Sequence, residues 1–148
     1  MDVRRKLYLL LFAAYLLFLL DLVFFAEYFG RTQIGQEYSY NLIPFREIGR
    51  FAAMWSVPRY RFAALYNLAG NVAAFLPFGL FLPLLWKRTR HFVTVVLCTL
   101  CFSLAIETVQ LIFRVGSFDV DDLILNTLGG AAGYLLYFTW GLIRRKRG

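Results

Sequence analysis

Four long apolar stretches constrain the fold of this chain more than any other feature. They cover approximately residues 7–29, 62–86, 92–113 and 123–143. A helix of about 20 mainly apolar residues crosses a hydrocarbon core of about 30 Å, so each stretch is long enough to span a membrane. A membrane β-barrel would instead show alternating segments of about ten residues. The sequence therefore predicts an all-α polytopic membrane protein, with four transmembrane helices in a single domain over 1–148.

The composition favours the same class. Of the 148 residues, 60% are hydrophobic and 19% are aromatic, whereas a soluble domain averages about 45–50% apolar residues. Three basic residues precede the first stretch, which is also the arrangement of a signal peptide. The apolar run, however, continues through Phe24, Phe25 and Tyr28 with no pair of small residues in cleavage spacing. We therefore expect the first stretch to be a retained helix.

Basic residues mark one side of the predicted bundle. They cluster at positions 4–6, 87–90 and 144–147, which are the N-terminus, the connection between the second and third spans, and the C-terminus. With four spans these segments share one side, and the positive-inside rule places that side in the cytoplasm. We expect the clusters to set topology and to contact anionic lipids, and we expect no nucleic-acid binding. The predicted location is the plasma membrane, with both termini cytoplasmic.

Polar residues within the spans or at their ends concentrate toward the opposite side. An ionisable group in lipid costs at least ~2–3 kcal/mol, so such a residue usually has a partner or a function. On each of three helices these residues recur at helical spacing, which places them on one face. We therefore expect them to converge near the outer leaflet. The members are Asn67 and Asn71 on the second span, Glu107, Gln110 and Arg114 on the third, and Asp119, Asp122 and Asn126 on the fourth.

Two of the acids outside these stripes, Asp121 and Asp21, are also candidates for a structural role. Asp121 does not share the face of Asp122 and Asn126, and it is interpreted as a helix cap or a solvent-facing acid. Asp21 lies about 14 residues into the first span, roughly 21 Å at about 1.5 Å per residue. It is a candidate hydrogen-bond partner of the polar residues or of an arginine.

Small residues and prolines predict how the helices pack. Gly129 and Gly133 form a small-xxx-small pattern on the face that also holds Asn126, which predicts close approach to a neighbouring helix. Pro77 and Pro83 allow a kink or a break in the second span.

The connection between the first two spans contains an amphipathic segment. Within residues 41–55 the apolar positions 48, 51, 52 and 55 recur at helical spacing, and the charged positions 46, 47 and 50 face the other way. Such a helix lies in the outer membrane interface or forms a re-entrant segment, and Pro44 is expected to start it. Alone it is interpreted as an anchor that rests on lipid. Above the polar residues it becomes a lid from which Arg46 reaches the acids.

Four ordered motifs resemble the VanZ-like membrane proteins. They are NLIPFR (41–46), NVAAFLPFG (71–79), SLAIETVQ (103–110) and FDVDDLILNTLGGAAGY (118–134). The resemblance covers most of the chain, from about residue 41 to 134. It implies an association with the cell envelope and with resistance to teicoplanin-type lipoglycopeptides. The family pattern falls on Asn41, Pro44, Phe45, Arg46, Asn71, Pro77, Phe78, Gly79, Glu107, Gln110, Arg114, Asp119, Asp122, Asn126 and Gly129.

Binding of an envelope molecule is the first function compatible with the polar residues. The ligand is a membrane lipid, a lipid-linked precursor or a lipoglycopeptide. Arginine binds phosphate or carboxylate through two parallel hydrogen bonds, so Arg46 and Arg114 are candidates to hold an anionic head group. The remaining candidate ligand-binding residues are Asn67, Asn71, Gln110 and Asn126. A structural ion network between the arginines and the acids is the alternative.

An enzyme of the outer leaflet is the second possibility. Glu107 with Asp119 or Asp122 supplies a general acid and base for chemistry on a lipid-linked substrate. The same carboxylates, with amide oxygens, suit a divalent cation such as Mg²⁺ or Ca²⁺, although the sequence identifies no cofactor. A small transporter or channel, formed by an oligomer, is the third possibility because intramembrane acids can line an ion path.

Overall fold

Five helices and one pair of very short strands make up the part of the chain that the structure describes. A computed structural model describes residues 2–30 and 38–146, with side chains for 2–24 and 38–143. The C-terminal basic cluster at 144–147 therefore lies outside the described side chains. The elements are α1 (Val3–Gly30), β1 (Tyr40–Asn41), α2 (Arg46–Met54), α3 (Arg61–Leu85), α4 (Phe92–Phe113), β2 (Phe118–Asp119) and α5 (Val120–Lys146), with short 3₁₀ turns at Pro58–Tyr60 and Lys87–Thr89.

Three helical segments among the described residues are long and apolar enough to cross a membrane. They are Val3–Phe24, Pro58–Leu85 and Phe92–Phe113. The protein is therefore an all-α membrane protein. The fourth predicted stretch also forms a helix, because α5 is 27 residues long. It is less apolar than the other three, since Asn126, Gly129, Gly130 and Gly133 lie within it, and its crossing of the membrane stays a prediction.

Glycines bring the backbones of α5 and α3 into contact. A Cβ atom on Gly129 would lie 2.3 Å from the carbonyl oxygen of Val72, and one on Gly133 would lie 2.0 Å from that of Leu76. Only a residue without a side chain fits at such distances. The predicted close approach of this helix is confirmed, and its partner is α3.

The helix α3 is continuous through both of its prolines. Pro77 and Pro83 lie inside Arg61–Leu85, so the break that the sequence allowed does not occur. A proline lacks the N–H that would bond the carbonyl four residues earlier. The helix α3 packs against both α5 and α1.

An aromatic layer fills the middle of the bundle. The rings of Phe78 on α3 and Phe102 on α4 are stacked, with centroids 4.8 Å apart and planes 3° apart. Phe12 of α1 contacts Phe78 with a centroid distance of 5.9 Å, and Phe75 is buried beside them. This layer packs α1, α3 and α4 together.

A parallel strand pair joins two distant connections of the chain. In it Tyr40 lies opposite Phe118, and Asn41 lies opposite Asp119. The backbone N–H of Phe118 also donates to the carbonyl of Ser39 at 3.1 Å. Because β1 precedes α2 and β2 precedes α5, the pair brings the starts of these two helices together.

The helix α2 begins at Arg46, so the predicted start at Pro44 is wrong. Phe45 has a φ of 64°, in the left-handed region, which costs a residue with a side chain roughly 1–2 kcal/mol. The chain therefore turns at Phe45 before the helix can begin. None of the residues of α2 is buried.

Candidate functional site

A cavity of about 510 Å³ lies between α1, α3, α4 and α5. We call it the polar cavity. Its described wall combines the predicted polar residues with apolar side chains of α1 and α3, among them Phe18, Leu22 and Phe75. The structure thus brings six of the nine candidate residues together. They are Asn67, Asn71, Glu107, Gln110, Asp122 and Asn126.

The α4 side of the polar cavity carries Glu107 and Gln110, both 3% exposed. They are three positions apart and therefore share one face of the helix. The backbone N–H of Asp119 donates to Glu107 Oε2 at 3.0 Å. Gln110 Nε2 donates to the carbonyl oxygen of Val23 in α1 at 3.3 Å. Hydrogen bonds to two other elements thus fix the position of both side chains.

A hydrogen bond between α3 and α5 closes another side. Asn71 Nδ2 donates to Asp122 Oδ1 at 2.6 Å. The bond joins two helices that are far apart in sequence. The carboxylate of Asp122 is therefore held at the cavity wall, with the amide oxygen of Asn71 beside it.

Asn126 combines burial with an unsatisfied acceptor. The residue is 4% exposed, and its Nδ2 donates to Ser103 Oγ at 2.9 Å. Its Oδ1 is buried and has no hydrogen-bond partner among the described residues. Turning the amide over would only exchange which of its two atoms bonds Ser103. A buried polar atom without a partner costs about 1–3 kcal/mol, so this amide is not explained by packing alone.

Asp119, a candidate catalytic acid in the sequence, is not among the described residues that line the cavity. Its Oδ1 accepts the backbone N–H of Asp121 at 2.8 Å, which is the hydrogen bond of a residue that caps the start of α5. The same oxygen accepts Asn41 Nδ2 at 3.1 Å. Asp119 therefore caps α5 through its side chain, and its backbone N–H bonds the cavity residue Glu107.

The acid that sequence reasoning underestimated is Asp121. It is 1% exposed, so its interpretation as a solvent-facing acid is wrong. Its Oδ1 accepts the N–H of Phe45 at 2.5 Å, and its Oδ2 accepts those of Glu47 at 2.7 Å and Ile48 at 3.0 Å. Asp121 is indeed a cap, but it caps α2 rather than its own helix. The sequence does contain one indication of this role: Phe45, the residue before α2, has no side chain that can cap the helix, so the cap must come from elsewhere in the chain.

The two candidate arginines lie outside the cavity. Arg46 and Arg114 are exposed, and neither is among the described residues that line it. Arg114 ends α4 with a φ of 56°, and its guanidinium lies 4.5 Å from the ring centroid of Tyr38. The hypothesis that these arginines hold an anionic head group therefore does not describe the polar cavity.

The first helix contributes apolar side chains to the cavity instead of its acid. Phe18, Leu22 and Val23 line it, whereas Asp21 is exposed and is not among the described lining residues. Asp21 is adjacent in sequence to the cavity-lining Leu22, but the rotation of α1 about its axis turns Asp21 away from the cavity.

The donor set of the cavity consists of oxygen and amide groups. Among the described residues, no three His, Cys, Asp or Glu side chains form a group that could hold a metal ion. Glu107 and Asp122 with neighbouring amide oxygens are hard donors of the kind that Mg²⁺ and Ca²⁺ prefer. A divalent ion would therefore depend on amide oxygens as well as on the two carboxylates.

Comparison with known proteins agrees with the motifs. The sequence model of a family described as VanZ/LLP1 matches residues 12–143. Protein VanZ from Enterococcus faecium is 34% identical over 129 residues, which are 86% of this chain and 71% of that protein. No solved structure matches the chain significantly.

Proposed function

This chain belongs to the VanZ/LLP1 family, and from this premise we propose that its polar cavity binds the head group of an envelope lipid or a lipid-linked precursor. The observation that carries the proposal is the convergence of two carboxylates and four amide side chains on one cavity of about 510 Å³. Small-molecule sites commonly occupy about 300–1,000 Å³. The volume suits a head group rather than a whole lipid.

The chemistry of the wall indicates which head groups fit. Lysine and arginine are absent from its described residues, so the wall offers carboxylate and carbonyl acceptors together with amide donors. Such a wall suits hydroxyl or amine groups, as in a saccharide or an amino head group, better than a bare phosphate. Phe18, Leu22 and Phe75 add apolar surface for the start of an acyl or polyprenyl chain.

The membrane topology that fits this proposal has four spans. At about 1.5 Å per residue the 27 residues of α5 extend about 40 Å, enough to cross the hydrocarbon core beside α3. Arg4 and Arg5 line one pocket together with Lys87 and Arg90, which supports a shared cytoplasmic side for these segments. The termini are then cytoplasmic, the polar cavity faces the outer leaflet, and α2 lies in the outer interface.

The family resemblance extends the proposal to antibiotic susceptibility. VanZ-like proteins are associated with resistance to teicoplanin-type lipoglycopeptides. A protein that holds an envelope lipid or precursor by its head group changes which groups are presented at the outer surface. This is a physical route by which occupancy of the polar cavity alters susceptibility.

The test compares carboxylates inside and outside the cavity. Glu107→Gln and Asp122→Asn each remove one cavity carboxylate, whereas Glu47→Gln changes an acid on α2 that pairs with Arg50 at 2.5 Å. The full chain is purified with native lipids, and the retained lipids are identified by native mass spectrometry. We expect at least about a tenfold loss of the bound species in both cavity variants, together with loss of any resistance phenotype, and no loss in Glu47→Gln. Equal lipid retention in all three folded variants contradicts the proposal.

Catalysis at the same site is the second candidate. Its support is that Glu107 and Asp122 line one cavity, where they can act as general acid and base. Ser103, whose Oγ accepts a hydrogen bond from Asn126, is not among the described residues that line the cavity, so a serine nucleophile has no support here. Turnover of a labelled bound lipid by the wild type, lost in Glu107→Gln, would establish an enzyme. Dependence of that turnover on added Mg²⁺ would establish metal assistance.

A transporter or channel has less support. The aromatic layer around Phe12, Phe78 and Phe102 lies between the polar cavity and the basic end of the bundle. An ion path through one copy would have to cross this apolar layer without polar partners, which is costly.

A further inference from the structure

A second cavity, of about 550 Å³, has the opposite charge to the polar cavity. It is formed by the start of α1, the end of α3 with the connection that follows, and the last turns of α5. On α5 the two cavities are separated by more than ten residues, from Asn126 to Tyr137, or roughly 16 Å along the helix. We call it the basic pocket. The charged residues in its described wall are Arg4, Arg5, Lys87, Arg90 and Asp2.

The rest of the wall is apolar and aromatic. Leu84 and Leu85 form its α3 side, and Tyr8, Tyr137 and Trp140 contribute rings. Tyrosine and tryptophan are enriched at the level of lipid head groups, where one part of the ring system is apolar and the other is polar. Cations above an apolar floor fit a ligand that is both anionic and amphiphilic.

Hydrogen bonds hold the connection between α3 and α4 in place under these cations. Thr89 Oγ1 donates to the carbonyl of Leu82 at 2.6 Å, and Tyr134 Oη donates to that of Arg90 at 2.8 Å. Arg90 Nε lies 3.5 Å from the carbonyl oxygen of Pro83. That contact uses one of the five N–H donors of the guanidinium, so the others remain for an anion.

We propose that the basic pocket binds the phosphate of an anionic phospholipid, with the adjoining acyl chain against Leu84, Leu85 and the aromatic rings. Arginine suits this role because its planar guanidinium binds two phosphate oxygens at once. The site is distinct from the polar cavity and does not depend on the function proposed there.

Of the two basic clusters whose side chains the structure describes, at 4–6 and 87–90, only some members line the pocket. Lys6 and Arg88 have the same charge as their neighbours but are not among the described residues that line it. A topology signal requires charge on this side of the membrane and is indifferent to which of these residues supplies it. A phosphate site depends on Arg4, Arg5, Lys87 and Arg90 specifically.

The experiment uses this difference. The full chain is purified in detergent and titrated with phosphatidylglycerol or with phosphatidylcholine of the same acyl chains, and occupancy is measured by native mass spectrometry. Lys87→Gln with Arg90→Gln removes two pocket cations, and Lys6→Gln with Arg88→Gln removes two cations outside it. We expect the pocket pair to lower phosphatidylglycerol affinity by about tenfold or more, since each cation near an anionic head group contributes appreciably. The control pair is expected to change it by less than about twofold.

Three results would overturn the proposal. The first is an equal loss in the two pairs of variants, which would reduce the effect to overall charge. The second is equal affinity of the wild type for the two phospholipids. The third is displacement of phosphatidylglycerol by inorganic phosphate at the same concentration, which would assign the pocket to a free anion. Because Arg90 Nε also contacts the carbonyl oxygen of Pro83, the double substitution could change the fold as well as the charge. Lys87→Gln alone is therefore the second variant. It should retain the wild-type thermal midpoint and lose less phosphatidylglycerol affinity than the double variant.

Discussion

The two cavities of this protein differ in how their charged groups are held. In the polar cavity, Glu107 and Asp122 are buried or half-buried, and each accepts a hydrogen bond from another element of the fold. In the basic pocket, Arg5, Lys87 and Arg90 are exposed. The geometry of the first is therefore set by cross-helix hydrogen bonds, whereas the second depends mainly on the number and placement of cations.

This difference predicts two kinds of response to substitution. Loss of a partner from a buried hydrogen bond costs about 1–3 kcal/mol, but exposed charges typically contribute about 0–1 kcal/mol to stability. Substitutions at the polar end should therefore change the stability and the local structure. Those at the basic end should change ligand affinity and its salt dependence with little effect on folding.

The largest expected effect is that of Asp121→Ala. The substitution removes the acceptor of three backbone N–H groups at the start of α2 and leaves Phe45 in its left-handed conformation without compensation. We expect α2 to lose about 2–4 kcal/mol of docking free energy, while α3, α4 and α5 stay assembled. Faster amide hydrogen exchange at Glu47 and Ile48, and proteolysis near α2, would report the change.

Asp2→Ala is the matched control at the other end. Asp2 is an exposed acid of the basic pocket, and its removal should leave hydrogen exchange in α2 unaltered. Unchanged protection of α2 in Asp121→Ala would show that the polar end is not fixed by this carboxylate, and the contrast between the two ends would lose its main support.

A smaller effect is expected from Gly133→Ala. The added Cβ would lie 2.0 Å from the carbonyl oxygen of Leu76, so α3 and α5 must separate, at a cost of about 1–3 kcal/mol. Gly141→Ala, near the basic pocket, meets no atom within 4 Å and should raise helix stability by up to about 1 kcal/mol. Thermal midpoints in detergent should therefore shift in opposite directions. A shift of the same sign in both variants would contradict the close packing of α3 and α5.

Periodicity in the sequence was enough to predict most of the polar cavity. The spacing of Glu107 and Gln110 gives the shared face of α4, and the spacing of Asp122 and Asn126 gives that of α5. The same spacing rule predicted that Arg114 shares the face of Glu107 and Gln110, although α4 ends at Phe113. The left-handed conformation of Arg114 ends the helical periodicity, so the side chain does not continue the face of Glu107 and Gln110 and lies outside the cavity.

The role of Asp121 depends on contacts that no local pattern contains. Its partners are 73 to 76 positions away in the chain, and they become neighbours through the pairing of β1 with β2. The sequence also could not predict which side of α1 faces the cavity, because exposed Asp21 and cavity-lining Leu22 are adjacent in sequence. In the basic pocket, the sequence gives the charges but not the concave arrangement that includes Arg90 and excludes Arg88.

The smallest effect is expected from Tyr134→Phe, which tests whether the basic pocket is fixed by charge alone. The substitution removes the hydroxyl that donates to the carbonyl of Arg90 at 2.8 Å and leaves every cation in place. One neutral hydrogen bond contributes about 0.5–1.5 kcal/mol. If it holds the connection in its binding shape, phosphatidylglycerol affinity should fall by about two- to tenfold.

Tyr137→Phe is the control for Tyr134→Phe, because Tyr137 lines the same pocket without that bond to Arg90. Lipid titration by native mass spectrometry should show a larger loss for Tyr134→Phe than for Tyr137→Phe, and the lipid retained in the polar cavity should be the same in both. Equal affinities in the two variants would mean that charge alone determines binding at the basic end. A loss confined to Tyr134→Phe would mean that hydrogen bonds also shape this pocket, so that the two ends differ in degree rather than in kind.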